Sequence, residues 1–97
     1  MRFKYNFSAN TGYLWKELPF LDRLAMAKKY DFEIVEFHDE PYKENLKELQ
    51  SVLSTLDLKV NGMNVRMGET FGFAAISKDT KKYEHDISEA VKIAMEL

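Results

Sequence analysis

An α/β fold built on a parallel sheet is what this sequence predicts, and three observations predict it. Tyr30-Asp31-Phe32-Glu33-Ile34-Val35 and Leu56-Asp57-Leu58-Lys59-Val60-Asn61 are near-copies about one βα period apart. Each follows an amphipathic helix and opens an apolar run, which is the pattern of repeated βα units with helices packed on parallel strands. The 97 residues hold three such units in one domain, 1–97, whereas closing a (β/α)8 barrel takes eight strands and typically about 250 residues. The expected order is βαβαβα, with strands 1-2-3 parallel and right-handed crossovers.

The first strand is read at Phe3–Phe7, where large apolar residues alternate. Ser8-Ala9-Asn10-Thr11-Gly12-Tyr13 has turn composition and predicts a long loop. Pro19 suits the first turn of a helix, where its missing N–H costs nothing. Phe20, Leu21, Leu24 and Ala27 continue that helix as an apolar stripe. The second strand spans Glu33–Phe37 and is broken by His38-Asp39-Glu40-Pro41. Leu46, Leu49, Leu53 and Leu56 form the clearest helical stripe, with charged and polar residues off it. Lys59–Asn64 is the third strand, in which Gly62 suggests a bulge or a close backbone approach. A loop from Val65 to Ser77 follows, and Tyr83, Ile87, Val91 and Ala94 mark the core face of a last helix.

Composition narrows the functional classes. Net charge is −2 with both signs scattered, so the basic stripe that nucleic-acid binding needs is missing. With no cysteine, a disulfide framework, thiol catalysis and a cysteine zinc site are excluded, and a reducing compartment fits. Neither a signal peptide nor an apolar run of membrane-spanning length is visible, so the expectation is a soluble cytoplasmic protein with no membrane contact.

Helix-to-strand connections are short, around Asp31 and Asp57, while those after the first and third strands are long. Loops at the carboxyl ends of parallel strands build binding sites, and the opposite face serves stability. Function is therefore expected in Ser8–Glu17, His38–Tyr42 and Val65–Ser77.

Asn6-Phe7-Ser8, Leu18-Pro19-Phe20-Leu21-Asp22-Arg23, Val35-Glu36-Phe37, and Asn64 ahead of a loop ending Gly72-Phe73-Ala74-Ala75-Ile76 resemble the start of a hydroxypyruvate isomerase. They also resemble the wider xylose isomerase-like sugar isomerase and epimerase barrels. Two stretches depart from that pattern: Asn10–Tyr13 is longer, and His38-Asp39-Glu40 is more polar. The resemblance implies a TIM barrel whose later strands carry a divalent metal and two glutamates that interconvert a ketose or ketoacid with its isomer. Nothing in this chain matches those residues. On this reading no catalytic residue and no cofactor belong to the chain itself, and Mg or Mn is expected only if the site is completed.

Candidate residues each carry two readings. His38, with Asp39 and Glu40, can touch substrate, hold a metal or relay a proton, or can be a solvated loop. His85 reads as surface. Glu36 reads as a buried carboxylate in need of a partner. Asn6 and Asn64, read at the carboxyl ends of strands one and three, can bond a sugar hydroxyl or a ketoacid oxygen, or can cap backbone. Arg66 and Glu69 can address an anionic substrate and its hydroxyls, or can be surface salt-bridge residues. Tyr13, Trp15 and Phe71 can close over a ligand or pack the rim.

The substrate-binding set is accordingly Asn6, His38, Asn64, Arg66 and Glu69. The chain reads as an N-terminal piece of a sugar isomerase-like barrel, inactive alone. The alternatives are a subunit completing a site with another chain, or a stand-alone assembly or binding module. An open sheet with large apolar residues on its inner face predicts a homo-oligomer, a dimer first, or a chain supplying the rest of the barrel.

Overall fold

The computed structural model describes residues 5–66 and 80–97. The elements run β1 (Ser8–Asn10), α1 (Phe20–Lys29), β2 (Ile34–Phe37), a 3₁₀ turn (Glu40–Lys43), α2 (Leu46–Leu56), β3 (Lys59–Met63) and α3 (Thr80–Glu96). The strands form one parallel sheet in the order β1-β2-β3.

The repeated segments owe their likeness to the way both helices end. Asp31 (φ 67) and Asp57 (φ 53) adopt the left-handed conformation. The Phe32 amide donates to the Ala27 carbonyl and the Asp31 amide to that of Lys28, each at 3.0 Å. At the second copy Leu58 donates to Leu53 at 2.9 Å, and Asp57 to Ser54 at 3.2 Å. Both are Schellman closures, with the next apolar residue turned back onto the core. The opposite end of α2 is capped by Asn45, whose Oδ1 accepts from the Glu48 amide at 3.1 Å.

Register decides which strand residues share a face. Ala9 pairs with Val35 and Val35 with Val60. Ala9, Val35 and Phe37 are buried against Phe20, Leu24 and Ala27 of α1, Leu49 and Leu53 of α2, and Leu58. The Phe20 and Phe37 rings meet edge to face at 5.0 Å. On the other face Ser8 pairs with Ile34 and Asn10 with Glu36. A bulge opposite Val35/Glu36 sets Glu36 against Gly62 rather than Asn61.

Several expectations are corrected. Residues 5–7 lie outside β1, which is the Ser8–Asn10 stretch read as loop, while Phe3 and Lys4 fall outside the described residues. The reason is pairing: small Ala9 faces the helices, whereas Ser8 and Asn10 point to a polar face, so a strand has turn composition. Over β1 and β2 the inner face therefore carries Ser8, Asn10 and Glu36 with one large apolar residue, half-buried Ile34, rather than a row of large apolar groups. On α2, Leu49 and Leu53 are buried, but Leu46 and Leu56 only half-buried. Of the loop read at Val65–Ser77, the part beyond Arg66 lies outside the described residues, as does the Tyr83 side chain.

The last helix is turned away from its predicted face. Asp86 (5% exposed) and Ile93 are buried, whereas Ile87 (45%), Val91 (52%) and Met95 (83%) are exposed. Buried Asp86 is paired with Lys82 at 3.1 Å. The Ile87–Val91–Met95 stripe lies off the side of α3 that meets α2 and β3. Among the described residues, no helix is long and apolar enough to cross a membrane.

Candidate functional site

At the carboxyl ends of the three strands lies an open cleft of about 380 Å3, lined by Asn10, Tyr13, Glu36, Phe37, His38, Gly62, Met63 and Asn64. Each strand delivers its last residues there. Asn10 ends β1; its Oδ1 accepts from the Gly12 amide at 2.9 Å, while its Nδ2 donates to Glu36 Oε1 at 3.1 Å. One amide thus turns the chain out of the strand and orients a carboxylate in the cleft.

His38 follows β2 and is held from three sides. Its backbone N–H donates to Glu40 Oε1 at 2.8 Å. Its ring meets the Tyr13 ring edge to face at 4.6 Å, and it lies directly over Gly12, where a Cβ would collide with it. Glycine is required at 12 because the imidazole occupies that space.

Beneath the cleft, Glu40 ties the first two loops together. Its Oε2 accepts from the Thr11 hydroxyl at 2.8 Å and lies 3.7 Å from Arg23 Nη1. Arg23 donates to the carbonyls of Leu18 (2.9 Å), Thr11 (3.0 Å) and Lys16 (3.3 Å). A guanidinium has enough fixed donors to knit a long β1–α1 loop in this way.

The third strand's exit is latched separately. The Asn64 amide donates to the His38 carbonyl at 3.0 Å, and the Tyr42 hydroxyl donates to the Asn64 carbonyl at 2.8 Å. Arg66 lies 4.7 Å over the Tyr42 ring and pairs with both Glu89 oxygens at 3.0 and 3.3 Å. Burial, and then the Glu89 charge, push the Tyr42 phenol above its ordinary pKa. The Glu89 hydrogen bond raises that of Arg66.

Of the predicted binding residues, His38 and Asn64 line the cleft. Asn6 precedes β1 and is exposed at the amino end of the sheet, because the strand lies further along the chain than its apolar alternation suggests. Arg66 is engaged by Glu89 and Tyr42, away from the lining. Glu69 and Phe71 lie outside the described residues. Trp15 packs against the hydrophobic core, stacked on Tyr30 at 6.2 Å, and His85 is exposed on α3.

Asn10 and Gly12 are the lining and positioning residues that sequence reasoning missed, whereas Tyr13, read as a loop aromatic that can close over a ligand or pack the rim, lies in the cleft lining. The available signal was the Asn-x-Gly spacing of an Asx turn, read as loop rather than strand end. Among the described residues, no three His, Asp or Glu side chains converge as metal ligands. Both Glu40 oxygens accept hydrogen bonds, Oε1 from the His38 amide and Oε2 from the Thr11 hydroxyl.

A parallel β1-β2-β3 sheet, helices against one face, and a polar cleft at the strands' carboxyl ends are the parts of a TIM-barrel wall. No family model matches the chain. It is similar to the 2-oxo-tetronate isomerase of Haemophilus influenzae, at 35% identity over 95 residues, covering 94% of this chain and 36% of that protein. It is also similar to the crystal structure of an AP endonuclease, family 2, from Brucella melitensis, with a TM-score of 0.85 and 28% identity. That match covers 95% of this chain and 37% of the other. The chain thus spans little more than a third of either protein. Fold and likeness together show three βα units of an isomerase-like TIM barrel of the xylose isomerase type.

Proposed function

We propose that the chain supplies a substrate-facing wall of a barrel isomerase or epimerase acting on a small ketose or keto acid, hydroxypyruvate or 2-oxo-tetronate being the forms to try first. The carrying observation is the cleft where Asn10, Glu36, His38 and Asn64 gather at the carboxyl ends of parallel strands, the end at which such folds hold substrate. Isomerisation moves a proton between adjacent carbons and needs an acid–base group within hydrogen-bond reach of it. In this proposal the wall holds the substrate, and the proton-transferring pair and any Mg or Mn come from the remaining units.

The exposed Ile87, Val91 and Met95 stripe then has a role: the next part of the barrel, from a longer or a second chain, packs on it. A second copy of this chain is the competing occupant. Lack of cysteine supports a cytoplasmic setting.

The test is a chimera in which this chain replaces the matching segment of the Haemophilus 2-oxo-tetronate isomerase. Folded, active chimera is the expected result. A chimera that folds cooperatively but turns over no substrate overturns the proposal.

A further inference from the structure

Among the described residues, the cleft lining contains Glu36, His38, two asparagines and Tyr13, but no lysine or arginine. Among the described residues, both guanidiniums are committed elsewhere. Arg23 serves loop carbonyls under the cleft, and Arg66 is paired with Glu89. The Glu36 carboxylate receives Asn10 at Oε1, and among the described residues no hydrogen bond to its Oε2 is seen. Ionised Glu36 accepts hydrogen bonds and cannot donate them.

An alcohol hydroxyl meets this lining well, because it donates to Glu36 while accepting from Asn10 or an imidazole N–H. A carboxylate or phosphate has no proton to give Glu36 and meets its charge at close range in a partly desolvated site, where like charges repel.

We infer that this cleft selects the uncharged, hydroxylated end of the substrate and turns its acid end away, toward the side of the barrel that this chain does not build. The inference rests on the reading of the cleft as a substrate wall and adds an orientation to it. Glu36 is the specificity-determining residue, and Asn10 positions it. An acid such as a 2-oxo-tetronate lies with its terminal hydroxyls against Asn10, Glu36 and His38. A substrate of the same length without hydroxyls at that end is a poor fit.

The experiment uses the full chain labelled with 15N and two probes, erythritol and acetate, at equal concentration and pH 7. Erythritol is expected to move the amide signals of residues 10–13, 36–38 and 62–64, with an apparent affinity at least tenfold above that of acetate at the same signals. In Glu36→Gln, whose carbonyl oxygen still accepts from Asn10, the ratio is expected to fall several-fold through stronger acetate binding. Acetate binding as tightly as erythritol in the wild type overturns the orientation while leaving the substrate wall intact. An unchanged ratio in a folded Glu36→Gln also overturns it. Absence of cleft shifts with both probes overturns the inference together with the reading beneath it.

Discussion

Replacing Gly12 by alanine tests the packing that holds His38 in the cleft. The added Cβ falls within 3.0 Å of His38 Cγ, Nδ1 and Cδ2, so ring or backbone must move to restore ordinary contact. Such a move breaks the edge-to-face contact with Tyr13 at 4.6 Å or the backbone hydrogen bond to Glu40. Overpacking of this kind costs about 1–3 kcal/mol. At about 4–8 °C per kcal/mol for a domain near this size, Gly12→Ala should lower Tm by roughly 5–20 °C. A double-mutant cycle isolates the cause. In a His38→Ala background the collision is gone, so the same substitution should cost little, with a coupling of about 1 kcal/mol or more. Thermal melts followed by circular dichroism on the four proteins give the cycle. Equal costs in both backgrounds, or a Gly12→Ala protein melting with the wild type, would refute the placement of His38 over Gly12.

Other perturbations probe separate parts of the account. Leu49, fully buried, should lose about 2–5 kcal/mol on Leu49→Ala, and half-buried Leu56 clearly less, as read by chemical denaturation. Asp57→Gly should be neutral or mildly stabilising and Asp57→Val should cost about 1–2 kcal/mol, because only the left-handed φ of 53 is at stake. Tyr42 has a raised folded-state pKa, so its contribution is intact below the unfolded tyrosine value near 10 and is lost as pH rises toward the folded value. The stability difference between wild type and Tyr42→Phe should therefore shrink above about pH 10, and a constant difference would contradict this.

The helices and the sheet order were legible because α1 and α2 each carry an apolar stripe with clear end signals. The twin closures at Asp31 and Asp57 write the βα repeat directly into the sequence, since each places an aspartate between the helix end and the next apolar run. The first strand was not legible, since a strand whose inner face lines a polar cleft has the composition of a turn. Asn10 and Thr11 are there for hydrogen bonds, and the alternation of Phe3, Tyr5 and Phe7 draws the expected strand toward the residues before Ser8, of which 5–7 lie outside β1. That displacement carried Asn6 to the wrong end of the sheet and hid Asn10. On α3 the period was right but the face was not: Ile87 and Val91 are apolar yet exposed, and the buried Asp86 is stabilised by Lys82, a pairing that hydrophobicity alone does not reveal. His38 was accessible to sequence reading because it directly follows a strand read to end at Phe37, and Asn64 because the third strand, read one residue too long as Lys59–Asn64, still ends beside it.

The central claim is that substrate meets this chain at the carboxyl ends of its strands, and two residues at opposite ends of the sheet test it together. In the chimera with the Haemophilus isomerase, kcat/KM for 2-oxo-tetronate is the quantity to compare between His38→Ala and Asn6→Ala. A loss of about tenfold or more for His38→Ala, with Asn6→Ala close to the unsubstituted chimera, is the predicted result. An Asn6→Ala defect equal to or larger than that of His38→Ala would contradict the placement of the site.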